Sequence, residues 1–131
     1  MHALLNTFYG SFESGDGSAF GDSLAPDILF LGTDEAEWWQ GADEVRRVWG
    51  RQLDELHSAG VGVRGGEPSV VTNGDVVWAV DRPTVHLADG TTVRLRLTLV
   101  AVRDGDRLML RHLHASVGAP NEEVVKQELT L

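Results

Sequence analysis

Between Val61 and Gly118, runs rich in valine, leucine and threonine are interrupted by three tetrapeptides: TNGD at 72–75, ADGT at 88–91 and RDGD at 103–106. Asn-Gly and Asp-Gly accept the positive φ that tight hairpins require, so each is a point where an extended chain reverses. The spacing predicts an antiparallel meander of about four strands. Such a sheet is stable only if one face is covered, and the cover has to come from the first sixty residues.

That first part has helical periodicity. From His2 to about Ser14, Leu4, Leu5, Phe8, Tyr9 and Phe12 form one apolar stripe. SGDGSAF, at 14–20, breaks it. Asp16 or Ser18 caps a short second helix reaching toward Leu24, and Pro26 stops that helix. DILFLG, at 27–32, reads as a first strand. From Gly41 to about His57, Val45, Val48, Trp49, Leu53 and Leu56 recur at helical spacing, behind Asp43 and Glu44 in the first turn, where the helix dipole favours acids. Gly50 inside this long helix costs about 1 kcal/mol relative to alanine, which suggests close packing there. The tail after Pro120 is polar and reads as loose, or as helical only on contact. Helices followed by a sheet make an α+β layout.

The 131 residues are enough for one domain, 1–131, with one core. A formal charge of −9 with scattered basic residues argues against nucleic acid and anionic membrane surfaces as partners. There is no cysteine, so no disulfide framework or thiolate site exists and the expected compartment is the reducing cytoplasm. No segment is apolar enough to cross a bilayer, and the N-terminus does not read as an export leader. Phosphate loops, dinucleotide fingerprints, nucleophile elbows and zinc-protease helices are all missing, so any chemistry is expected to be cofactor-independent.

Four stretches, FYGSFESGD at 8–16, LFLGTDEAEWWQG at 29–41, RLTLVAVRDGDRL at 96–108 and HLHASVGAP at 112–120, resemble the SnoaL-like branch of the nuclear transport factor 2-like superfamily. The resemblance covers about residues 3–120. It implies a cone of curved antiparallel sheet wrapped around a long helix, with a pocket on the concave face and often a homodimer through the convex one. It also implies a wide choice of function, because the superfamily holds isomerases, cyclases and dehydratases beside binding and assembly modules.

Strand alternation sorts the side chains by face. Trp78, Val80, Arg82, Thr84 and His86 share one face, opposite Val77, Ala79, Asp81, Pro83 and Val85. Leu95, Leu97, Leu99 and Ala101 lie opposite Arg94, Arg96, Thr98 and Val100, while His112, His114 and Ser116 lie opposite Arg111, Leu113 and Ala115. By the resemblance, Asp81, Thr98 and Ala115 fall at pocket positions of kinase association-domain relatives. That alignment puts Asp81, Arg96 and Thr98 inside the cone, and Trp78, Leu95, Leu97 and Leu99 at a dimer interface. Pro83 marks a bulge that would reverse the parity.

The expected chemistry centres on Asp81 and Arg96. A carboxylate in an apolar cavity is raised in pKa by desolvation and lowered by a guanidinium, a balance that can make a general base, as in ketosteroid-isomerase-like members. The plain alternative is an ion pair bridging two strands. His112 and His114 share a strand face, with His86 as a conceivable third partner, but interface packing is favoured over a metal site. Of the adjacent Trp38 and Trp39, one is expected under the long helix and the other at the pocket mouth, with Glu35 and Glu37 exposed and Thr33-Asp34 forming a turn. Tyr9, Trp38, Trp39, Thr98, Ala115, His112 and His114 are the candidate ligand contacts. The ligand expected is a small apolar or carboxylate-bearing molecule, acted on by an isomerase, cyclase or hydratase. The rival is a non-catalytic binding or dimeric assembly module, like the kinase association domains, although Ala115 stands where those place a pocket arginine.

Overall fold

The computed structural model describes residues 1–131. Helix α1, His2–Ser14, buries Leu4, Leu5, Phe8, Tyr9 and Phe12, the stripe read from the sequence. It stops at Gly15, whose φ of 73° lets its N–H reach the Ser11 carbonyl. That glycine has a second reason to be there: a Cβ would lie 2.8 Å from the His57 ring. A four-residue α2, Ser18–Gly21, follows a turn in which Asp16 Oδ1 accepts both the N–H and the hydroxyl of Ser18. The first strand, β1 (Leu24–Leu31), starts before Pro26, so the proline lies within the strand and does not set its limit. Short β2, Trp38–Gln40, leads into α3, Ala42–Ser58.

The expected four-strand meander is six strands: β3 (Gly62–Arg64), β4 (Ser69–Asn73), β5 (Val76–Asp81), β6 (Thr84–His86), β7 (Thr92–Asp104) and β8 (Arg107–Val117). All three expected turns are hairpins, joining β4 to β5, β6 to β7 and β7 to β8. The main order is β2-β1-β8-β7-β5-β4, with β3 and β6 branching from β7. Only β1 and β8 pair in parallel. The break at Arg82–Pro83 splits one expected strand into β5 and β6, yet both pair with β7 in a continuous register, Asp81 opposite Leu97 and Val85 opposite Val93. Pro83 therefore does not reverse the parity.

The inner sheet face meets α1 and α3 in one core of 21 buried residues. Aromatic rings knit the layers: Trp49 of α3 stacks on Phe8 at 5.6 Å, and Phe30 of β1 stacks on Trp39 at 5.1 Å. Leu97, Leu99 and Ala101 belong to this core, so the expected placement of Leu95, Leu97 and Leu99 at an outer interface is overturned. A β-bulge at Arg111 keeps both Leu110 and Leu113 facing inward, and Arg111 is held outside by Asp27 at 3.0 Å. Gly50 meets nothing within 4 Å of an added Cβ, so the expected close packing there is absent. A short α4, Asn121–Val125, buries no residue. No helix is long and apolar enough to cross a membrane.

Candidate functional site

Two voids adjoin the β3 segment, and they differ in chemistry. The first is an open groove of about 700 Å³ beside α1 and the β3 segment, lined mainly by polar residues and glycine, with Tyr9, Asp81 and His86 among them. The second is a cavity of about 270 Å³ between α3, the β1–β2 loop and the inner face of β6, β7 and β8. Fourteen of its nineteen lining residues are hydrophobic, including Phe8, Phe12, Trp49, Leu97 and Leu113. Val63 lines both voids.

Asp81 closes the end of β5 and is 2% exposed. A buried carboxylate needs donors, and it has three. Oδ2 accepts the Tyr9 hydroxyl at 2.5 Å and the Gly66 N–H at 3.1 Å, while Oδ1 accepts the Arg82 N–H at 2.7 Å. Burial, the hydrogen bond to Asp81 and the charge of Asp81 push the Tyr9 hydroxyl far above the usual phenol range, so it stays a donor. The Gly65-Gly66 pair is required sterically. A Cβ on Gly65 would lie 2.7 Å from the Tyr9 ring, and one on Gly66 would lie 2.7 Å from Asp81 Oδ1 and 2.8 Å from the Arg82 carbonyl. The groove also holds His86, whose Nε2 is buried without a hydrogen-bond partner.

Arg96 is not beside Asp81. Asp81 pairs with Leu97, so Arg96 and Thr98, one residue to either side, project from the opposite face. Arg96 is exposed and donates to Ser116 Oγ at 3.2 Å, and neither a catalytic pair nor a strand-bridging ion pair with Asp81 exists. His112 and His114 also face outward, opposite Val100 and Thr98, with ring centroids 6.3 Å apart. His112 Nδ1 is 3.0 Å from the Leu29 carbonyl. His86 lies in the groove and does not join them.

The two tryptophans do point to opposite sides, but neither reaches a mouth. Trp39 is buried against Phe30, and Trp38, opposite Leu31 on the outer face, is 61% exposed. The tryptophan that lines the apolar cavity is Trp49. Ala115 is inside as expected, on the cavity wall, whereas Tyr9 lines the groove.

None of the polar residues of the apolar cavity is a site candidate in the sequence: Thr33 reads there as a turn residue and Glu37 as exposed, an expectation the structure overturns. Thr33, Glu37 and Gln52 sit among its lining residues. Glu37 is half-buried because the β1–β2 loop turns back on itself. Gly32 N–H donates to the Glu37 carbonyl at 2.9 Å, and Glu37 Oε1 accepts the Asp34 N–H at 2.7 Å. Asp34 Oδ1 accepts the Ala36 N–H at 2.8 Å, the turn expected at Thr33-Asp34. Gly32 makes the fold-back possible, since a Cβ there would lie 2.7 Å from Glu37 Cδ.

The family profile described as the SnoaL-like domain matches residues 1–120. The chain belongs to the SnoaL-like family. Solved structures share the fold of this SnoaL-like chain at low identity. An uncharacterised protein with a cystatin-like fold from Caulobacter vibrioides is 18% identical, with 96% of this chain and 95% of that one covered and a TM-score of 0.79. A nuclear transport factor 2-like protein of unknown function from Pseudomonas putida is 16% identical, with 98% and 89% covered and a TM-score of 0.77. A candidate ketosteroid isomerase from Parabacteroides distasonis is 15% identical, with 90% and 87% covered and a TM-score of 0.71. Comparison with curated proteins gives no match. These likenesses bear out the expected α+β fold, a curved sheet with helices that nuclear transport factor 2-like proteins share.

Proposed function

We propose that this SnoaL-like protein holds a small apolar molecule in the 270 Å³ cavity and moves a proton on it with a carboxylate, as an isomerase, cyclase or hydratase. The observation that carries this reading is the cavity's composition: a mostly hydrophobic wall with Thr33, Glu37 and Gln52 as its few polar groups. Small-molecule sites have this character, an apolar body with a few placed polar groups that orient the ligand. The candidate ketosteroid isomerase among its structural neighbours is in keeping with this reading.

In this reading Asp81 is a positioning residue. With both oxygens bonded to Tyr9, Gly66 and Arg82, it ties the 64–66 segment to α1 and so fixes the wall between groove and cavity. The second reading is a non-catalytic binding module, favoured by the separation of Asp81 from Arg96 on opposite sheet faces. A homodimer through the outer sheet face belongs to both readings. Trp38, Val71, Val76 and Val80 are exposed there, with Val80 at 47%, and burying such surface favours association.

A thermal-shift panel of small ketones, steroids, aromatic polyketide-like molecules and short carboxylic acids tests the function. A cluster of chemically related compounds that raises Tm, with turnover of at least one, is the expected result. Binding without turnover selects the module, and a flat panel removes the small-molecule reading.

A further inference from the structure

The cavity has one carboxylate, Glu37, and its environment is asymmetric. Oε1 is occupied by the Asp34 N–H, while Oε2 takes no hydrogen bond from the chain. The side-chain amide of Gln52, also half-buried on the cavity wall, makes no hydrogen bond within the protein. Nothing cationic lines the cavity. An acceptor of this kind, beside an apolar wall, discriminates by charge and by donor. An O–H or N–H is bound where it meets Oε2, and an anion is repelled in surroundings that screen poorly.

We propose that Glu37 is the group that recognises the ligand of this cavity, and that the ligand is a compact apolar ring system, neutral or cationic, presenting an O–H or N–H to Oε2 and a second polar atom to Gln52. The inference rests on the small-molecule reading above and narrows it. Carboxylate-bearing molecules are excluded by charge. The volume of about 270 Å³ lies near the lower end of the usual pocket range, roughly 300–1,000 Å³, so one or two fused rings fit better than the four of a steroid. For a ligand with an acidic proton, the same contact is the route of proton transfer: the proton passes to Oε2 and its bonding pair stays on the ligand as the conjugate base.

Gly32 gives a way to move this carboxylate without removing it. A Cβ at Gly32 would lie 2.8 Å from Glu37 Oε2 and from Glu37 Cβ, so Gly32→Ala displaces the side chain from the cavity wall. Glu37→Gln keeps the shape and the oxygen that accepts from Asp34, removes the charge and turns the Oε2 acceptor into an NH2 donor.

The test is calorimetric titration of the intact protein with three bicyclic probes of one size: 2-naphthol, 2-naphthylmethylammonium and 2-naphthoate. The expected order for the wild type is both donor-bearing probes at least tenfold tighter than naphthoate. In Glu37→Gln and in Gly32→Ala that gap narrows by about tenfold, and in Glu35→Gln, which alters an exposed carboxylate of the same loop, it is unchanged. Equal binding of all three probes, insensitive to Glu37→Gln, overturns the role of Glu37 while leaving the cavity as a binding site. A preference abolished by Asp81→Asn but not by Glu37→Gln also overturns it, placing the ligand in the groove. No binding of any probe to the folded wild type removes the cavity reading and this inference together.

Discussion

Tyr9→Phe removes one hydroxyl and nothing else from the Asp81 cluster. The ring keeps its packing on Phe8, at a centroid distance of 5.7 Å, but Asp81 loses its 2.5 Å donor and retains only the Gly66 and Arg82 N–H groups. A hydrogen bond to a charged group contributes about 1.5–3 kcal/mol, and the 2% exposure of Asp81 leaves water little access to replace it. Unfolding entropy of about 2.1 cal/mol/K per residue over 131 residues gives roughly 0.28 kcal/mol/K, so Tm should fall by about 5–11 °C. Urea unfolding should show the same loss as a lower midpoint with an unchanged slope. Because the partners are in direct contact, a double-mutant cycle with Asp81→Asn should return a coupling of at least about 0.5 kcal/mol. A Tyr9→Phe cost below about 0.5 kcal/mol, with no coupling, refutes the claim that this bond holds the groove wall together.

The two glycine predictions have opposite signs. Gly66→Ala, which forces a Cβ to within 2.7 Å of Asp81 Oδ1, should cost about 1–3 kcal/mol by urea unfolding, whereas Gly50→Ala, with open space around it in α3, should stabilise by about 0.5–1 kcal/mol. Asp16 and Asp89 are held below their ordinary 3.8 by hydrogen bonds from Ser18 and Thr91. Such groups stabilise the fold above the unfolded pKa, and the contribution disappears as pH falls through the lower folded value. The stabilities of wild type and an Asp16→Ala, Asp89→Ala variant should therefore differ at neutral pH and converge in acid. On the outer face, Val80→Glu should shift a dimer toward monomer in sedimentation equilibrium without lowering monomer stability, since Val80 is 47% exposed. A monomeric wild type would contradict the proposed homodimer.

Much of the fold was legible because its signals are local. The α1 stripe, the span of α3 and all three hairpin turns follow from side-chain period and from glycines at positive φ, such as Gly74 and Gly105. The site was less legible because it depends on register. At ADGT, Leu87 N–H bonds the Thr91 carbonyl across a three-residue loop, 88–90, and Gly90 has a φ of 87°. A two-residue turn at Asp89-Gly90 would have set Asp81 opposite Thr98, whereas the longer loop sets it opposite Leu97. That single residue separates Asp81 from Arg96. Glu37 was unreadable for a different reason: among acids in a polar loop, only the fold-back onto Gly32 brings its side chain to the cavity. Trp49 was assigned to the core from its helical spacing, which is correct, but spacing does not reveal that part of its ring borders a void.

The central claim is that the apolar cavity, not the Asp81 groove, receives the ligand. The most direct measurement is a crystal structure of the protein with 6-bromo-2-naphthol, with the bromine located by its anomalous signal. The account predicts one peak inside the cavity, among Phe12, Leu97 and Leu113. A peak in the groove beside Tyr9 and Asp81, or none in either void at saturating probe, would contradict it.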